Sequence, residues 1–201
     1  MDKTNQLLLL LSCIGHDLNH PGLANTYFAK SRHSLAKATN ELSILEHFHT
    51  SHLLAILAET ELLAHFTPAN YATFTGKMVE VILSTDMAVH NKLMKSHVFD
   101  DWCKDHLSAD QILKLMKLLV HTCDISNAAQ QFNKFKQWGL RISQEFDDCF
   151  VAETDLSARL GTEKAYGCAP PLPFLKWSNY KGFCQGQINF VSKSKQIVLI
   201  F

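Results

Sequence analysis

The sequence predicts an all-α fold, a compact domain of packed helices. Apolar residues recur at spacings of three and four along most of the chain, as they do on a buried helical face. No stretch alternates apolar and polar residues between paired turn signals, as half-buried strands do. With 201 residues, 47% of them apolar and 19% charged, the chain has a globular composition and enough length to bury one core.

The elements follow in order. Leu7 to Leu11, continuing into Ser12, Cys13 and Ile14, reads as a buried helix. The run is too short to span a bilayer, and no small-residue cleavage site follows before His16. Pro21 disfavours helical geometry at His20, so this helix is expected to stop near there. Leu42, Leu45, His49, Leu53 and Ile56 mark a second helix, and Met78, Val81, Ile82 and Thr85 a third. Ile112, Leu115, Met116, Leu119, Val120 and Cys123 form an apolar stripe on another, with Lys114 and Lys117 on the opposite face. Ser108 stands where its N-cap is wanted. Phe132, Phe135, Trp138, Ile142, Phe146 and Cys149 mark the next. The main break is expected between Thr154 and Pro173, where Gly161, Gly167, Pro170 and Pro171 interrupt any helix. The chain closes on the apolar run Ile197 to Phe201, unusual for a free end.

Charge and cysteine usage narrow the function classes. Formal net charge is zero, which argues against nucleic acid and against a charged membrane surface as partners. The six cysteines are irregularly spaced, with no C-x-x-C pair, and read as reduced thiols of a cytoplasmic protein.

The feature richest in chemistry is His16-Asp17-Leu18-Asn19-His20-Pro21-Gly22. Imidazole nitrogen and carboxylate oxygen are good ligands for zinc and similar ions. A helix ending here presents unpaired carbonyls, whose negative pole favours a cation. Among eleven histidines an H-D pair alone is weak evidence. Further polar groups on apolar helical faces strengthen it. Asp124 ends the stripe of the helix after Ser108, beside Val120 and Cys123, where an unpaired carboxylate is costly to bury. Glu46 and His49 lie at i,i+3 and can meet. Asp86 follows the apolar run Val81 to Leu83. Together they suggest a shared polar centre.

At this point a family resemblance becomes specific. His16-Asp17-x-x-His20-x-Gly22-x-x-Asn25 resembles the signature of class I 3′,5′-cyclic nucleotide phosphodiesterases. Leu45-Glu46-x-x-His49, Leu83-Ser84-Thr85-Asp86-Met87 and Val120-His121-x-x-Asp124-Ile125-Ser126-Asn127 resemble its next segments, in order. Gln137-Trp138-x-x-Arg141-Ile142, Glu145-Phe146 and Gly186-Gln187-Ile188-x-Phe190 continue the likeness, which runs over about residues 7 to 191. The resemblance implies an HD-type, all-α metal hydrolase that opens cAMP or cGMP to a 5′-nucleotide in cyclic nucleotide signalling. It implies His16, Asp17 and Asp124 as ligands of a zinc, with Asp17 bridging to magnesium or manganese. It implies that His20, Glu46, Asp86 and His49 order the water around those ions. Attack on phosphorus would then proceed in line between the two metals. Gln187 would bind the purine edge, Phe190 and Ile142 would sandwich the ring, and Met87, Phe146 and Asn127 would shape or line the pocket. Without the resemblance, Ile142, Phe146 and Met87 read as core, and Gln187 as a solvated helix residue. Neither the choice between cAMP and cGMP nor the oligomeric state follows from the sequence.

The chain also departs from the family. The family's complete site uses an upstream histidine ligand and an upstream histidine that protonates the leaving oxygen, whereas residues 1 to 15 contain none. The segment after Phe190 departs as well. The expectation is an incomplete catalytic domain over 1–201, whose full-length form could carry regulatory domains or a membrane tether. Two readings stay open, ahead of a third, another H-D-type metal hydrolase acting on a different phosphate ester, which leaves Gln187 and Phe190 to coincidence. One is an active phosphodiesterase represented by part of its domain. The other is a catalytically impaired homologue that binds a purine nucleotide or a partner without turnover.

Overall fold

The computed structural model describes residues 1–95 and 107–161. Among them every regular element is helical. In order these are α1 (Lys3–Gly15), α2 (Asn25–Lys30), α3 (Ser34–Ala38), α4 (Ile44–Glu59), α5 (Pro68–Leu83), α6 (His90–Lys95), α7 (Ala109–Asp124) and α8 (Phe132–Leu160). Short 3-10 turns at Met87–Val89 and Ile125–Ala129 precede α6 and follow α7. The all-α expectation therefore holds. Packing divides the described residues into two units, the first made of 1–19, 46–95 and 107–124 and the second of 20–45 and 125–161.

In the first unit, α1 and α7 both pack on α5 and on each other. Leu8, Leu53, Phe74, Met78, Ile82 and Met116 belong to one continuous core. Capping residues fix where these helices start. Asp2 accepts the Asn5 amide at 2.7 Å and starts α1. Thr67 caps α5, with Pro68 pre-set for its first turn. The expected cap at Ser108 is present and reciprocal: its hydroxyl accepts the Gln111 amide at 3.3 Å, and the Gln111 side chain accepts the Ser108 amide at 2.8 Å. Lys117 reaches across from α7 to Glu80 on α5 at 2.6 Å.

One glycine is required by close approach. Gly15 closes α1 against α4, where an added Cβ would sit 2.5 Å from Leu53 Cδ2. Only a residue without a side chain lets the end of α1 come so near.

The second unit has its own apolar cluster of Phe28, Ala36, Ile44 and Leu45. The Asn25 side chain accepts the Leu45 amide at 2.8 Å and so caps the start of α4. α8 runs for 29 residues and stops at Gly161, which takes the left-handed conformation with φ +64°. The helix thus continues past Thr154, and the break falls at the first glycine of the predicted interruption.

Some expected burial patterns shift. Leu42 precedes α4 and is exposed, and α4 buries Leu57 rather than Ile56. Cys123 is exposed at the end of the α7 stripe. Phe132 and Trp138 are exposed on α8, so they lie outside the core that their spacing suggested. Among the described residues, no disulfide joins Cys13, Cys123 and Cys149. No helix among the described residues is long and apolar enough to cross a membrane.

Candidate metal centre

α1 ends earlier than Pro21 alone predicts. Gly15 is its last helical residue, and His16 is the C-cap. The chain then turns through Asp17 and Leu18 to Asn19, whose φ of 60° is left-handed, a conformation that asparagine tolerates. In this turn neighbouring side chains need not diverge as they would on a helix.

His16 is held by two contacts. Its Nδ1 lies 2.9 Å from the Cys13 carbonyl, which can only accept, so Nδ1 carries the hydrogen. That leaves Nε2 to face Asp124 Oδ1 at 3.3 Å. Asp124 is the last residue of α7, and its carboxylate is 34% exposed rather than buried, contrary to the expectation from its apolar neighbours. An imidazole nitrogen and a carboxylate oxygen at this distance repel unless a positive charge joins them. A proton can do so. Hydrogen bonding to Asp124 pushes His16 up to about 9 against the opposing effect of burial, with the Cys13 carbonyl and the charges of Asp124 and Asp17 adding to the rise.

A metal cation is the other solution. With bonds of about 2.0–2.1 Å, two donors on a tetrahedral zinc stand about 3.3 Å apart. The observed separation matches, the backbone carbonyl fixes the tautomer that a ligand histidine needs, and the donor set suits zinc. The residues present therefore fit a metal.

His49 shows the same device on α4. It is buried, and its Nδ1 lies 2.7 Å from the Leu18 carbonyl, so Nδ1 donates there and pins the turn. Its Nε2 lies 3.5 Å from Asp17 Oδ1, near the outer limit for a hydrogen bond. The Asp17 carboxylate is 62% exposed and open to an ion. Asp17 and His49 are among the groups whose ligand atoms lie within 4.8 Å of one another.

The remaining expected site residues are placed as follows. Asp86 is buried, and its carboxylate accepts the Ala88 amide at 2.8 Å, starting the 3-10 turn. Glu46 is half-buried in the first turn of α4. Met87 is exposed, which removes the core reading for it. In the second unit, the Gly22 amide donates to His20 Nδ1 at 3.0 Å, the opposite tautomer from His16 and His49. Asn127 and Ile142 are half-buried, and Phe146 is 37% exposed. Gln187 and Phe190 lie outside the described residues.

Sequence reasoning missed two arrangements. His90 Nδ1 stands 2.8 Å from Nε2 of the buried His121. Burial, then the neighbouring His90, pulls His121 below the usual histidine range. The second arrangement is on α8, where Glu153 is 1% exposed yet carries a carboxylate. Thr26 Oγ1 donates to one of its oxygens at 2.8 Å and Lys30 Nζ to the other at 3.0 Å. A signal for it existed, an acid on the apolar stripe through Phe146 and Cys149.

Comparison with known proteins gives a consistent answer. A human high affinity cGMP-specific 3′,5′-cyclic phosphodiesterase 9A is 31% identical over 175 residues, covering 86% of this chain and 28% of that protein. A dual 3′,5′-cyclic-AMP and -GMP phosphodiesterase beta of Plasmodium falciparum is 27% identical over 194 residues, covering 92% of this chain and 16% of that protein. The chain thus spans well under a third of either relative. In fold it resembles the crystal structure of the phosphodiesterase domain of a RhoPDE fusion protein from the choanoflagellate Salpingoeca rosetta. The TM-score is 0.73 at 24% identity, over 99% of this chain and 66% of that one. The family described as 3′5′-cyclic nucleotide phosphodiesterase matches residues 1–193, nearly the whole sequence, and the chain belongs to it.

Proposed function

We propose that this chain carries catalytic-domain machinery for opening 3′,5′-cyclic nucleotides, cGMP or cAMP, to 5′-nucleoside monophosphates with two divalent cations. The observation that carries the reading is the His16–Asp124 pair, with Nε2 and Oδ1 3.3 Å apart and Nδ1 committed to a backbone carbonyl. Substrate identity comes from the relatives, whose names specify cGMP or both nucleotides.

The cations, zinc in the first site and magnesium or manganese in the second, would supply Lewis acidity and an activated water when bound. His16 and Asp124 would hold the first of them from the ends of α1 and α7. Asp17, on the turn that His49 pins through Leu18, would reach both. His20, Glu46 and Asp86 would orient water around them. Asn127, Ile142, Phe146 and Met87, with Gln187 and Phe190, would bind and bury the purine. Stacking between apolar side chains fixes the base while a glutamine amide reads its edge.

The test is metal retention by the purified chain after chelation and reloading with zinc, read by mass spectrometry of the native protein and by elemental analysis. The intact chain should retain zinc, and His16→Ala and Asp124→Ala should each lose it. Equal zinc retention by all of these proteins would overturn the assignment. Parallel cAMP and cGMP hydrolysis assays with manganese then address the substrate.

A further inference from the structure

We propose that Glu153, aided by Cys149 one turn before it, is a positioning residue for His20, acting from α8 through the Gly22–Lys30 segment.

Cys149 and Glu153 lie at i,i+4 on one face of α8, and both are buried. Glu153 receives Thr26 and Lys30, the second and last residues of α2. Cys149 Sγ donates to the Gly22 carbonyl at 3.3 Å. The amide of the same Gly22 donates to His20 Nδ1 at 3.0 Å. One face of α8 therefore holds the segment after His20 at three points, and one of them is the residue that sets the His20 ring. Gly22 has φ +72°, so its amide and carbonyl directions depend on a left-handed conformation that few other residues would keep.

The buried carboxylate is the strongest of these holds. Its two oxygens are matched by a hydroxyl and an ammonium on successive turns of a short helix, which fixes that helix in both rotation and distance along α8. A thiol donor is weak alone and serves as a local register mark. The consequence for His20 is a defined tautomer. Nδ1 accepts, so Nε2 carries the hydrogen and presents a donor rather than a lone pair. His20 is thereby set up to donate to an oxygen, while His16 and His49 keep Nε2 free of hydrogen when neutral. The relevance of that donor to catalysis rests on the phosphodiesterase reading above. The positional claim does not.

Long-range proton–nitrogen NMR spectra, recorded well above the ordinary histidine pKa of about 6.5, report the tautomer of each ring. His20 Nδ1 should resonate as an unprotonated nitrogen. Glu153→Ala should move it toward the average of the two tautomers, and Cys149→Ala should move it the same way by less. Glu153→Gln retains an acceptor for Thr26 and should recover most of the shift, and Cys149→Ser should restore the donor to Gly22. His49, whose tautomer depends on Leu18, is the internal control and should stay put. An unmoved His20 in both alanine variants overturns the proposal. So does a common drift of His20 and His49, which would report general loosening. If Glu153→Ala does not fold, Thr26→Val and Cys149→Ala decide the matter. The readout is a tautomer and not turnover, so a chain found inactive toward cyclic nucleotides would leave this test intact.

Discussion

Replacing Gly15 with alanine should destabilise the protein by about 1–2 kcal/mol, even though alanine is the better helix former. The added Cβ would stand 2.5 Å from Leu53 Cδ2 and 3.0 Å from Leu53 Cδ1 and Cγ. Carbon atoms pack at about 3.5–4.0 Å, so about 1 Å of space must open. Leu53 cannot supply it by swinging outward. It is 5% exposed and packed among Leu8, Leu57 and Phe74 in the first unit's core. Overpacking of this kind costs about 1–3 kcal/mol. Helix propensity returns at most about 1 kcal/mol, and less at the last helical residue, where fewer backbone bonds depend on it. The steric effect therefore wins. Urea denaturation of the metal-free protein would measure the change, provided that the slope with denaturant is unchanged. Leu53→Ala supplies the second arm of a double-mutant cycle. If the clash is the cause, the two substitutions together should cost at least about 1 kcal/mol less than their sum. A neutral or stabilising Gly15→Ala, or additivity within about 0.5 kcal/mol, would refute the close-approach argument.

Further expectations concern pH, an orphaned hydroxyl and a cap. His16 has its folded pKa raised to about 9, above an unfolded value of about 6.5, so its stabilising effect in the metal-free protein is full below 6.5 and lost as pH rises toward 9. His121 is shifted down, so acidification below about 6.5 should destabilise the fold as protons favour the unfolded chain. Melting temperatures across pH should show both arms, and His16→Asn should flatten only the alkaline one. Saturating zinc should also abolish the alkaline arm, because a ligand histidine is neutral. The Ser12 hydroxyl is buried with no hydrogen-bond partner among the described residues, so Ser12→Ala should be neutral or stabilising by up to about 1 kcal/mol in chemical denaturation. Ser108→Ala removes one half of a reciprocal cap and should cost about 1 kcal/mol by the same assay, with Ser108→Asp largely tolerated.

The helices of the first unit were legible because their stripes are clean. α7 carries Leu115, Met116 and Val120 inward, with lysines outward paired to Asp110 and Glu80. The sequence places the wrong inward residue on α4 because Leu53, Leu54, Ile56 and Leu57 share one broad arc of about 160°, and spacing alone does not say which edge of that arc is buried. α8 misled in the opposite sense, since Phe132 and Trp138 keep helical spacing yet stay exposed. In the candidate site, residue types and spacing pointed to His16, Asp17 and Asp124, and the structure joins His16 to Asp124. What sequence could not give are the backbone carbonyls of Cys13 and Leu18, because any residue can supply a carbonyl. Glu153 is the more instructive miss. A carboxylate on an apolar face needs a partner, and the sequence marks Asp124 on that ground although its side chain is partly exposed. Glu153, almost wholly buried, meets that condition with greater force.

The pinning of the turn by His49 sets an order in which this site could decay. Asp17 is mostly in solvent and stands 3.5 Å from His49, so the fold draws little from it, whereas Asp124 holds His16. Once selection for the proposed chemistry relaxes, Asp17 could drift to a neutral residue with little effect on folding. His49 could not, because the part-buried hydrogen bond that holds the Leu18 carbonyl would be lost. Lineages that abandon the proposed reaction should thus lose Asp17 first and keep a nitrogen donor at position 49. An asparagine there, beside an altered residue 17, would mark an inactive descendant that still needs the turn.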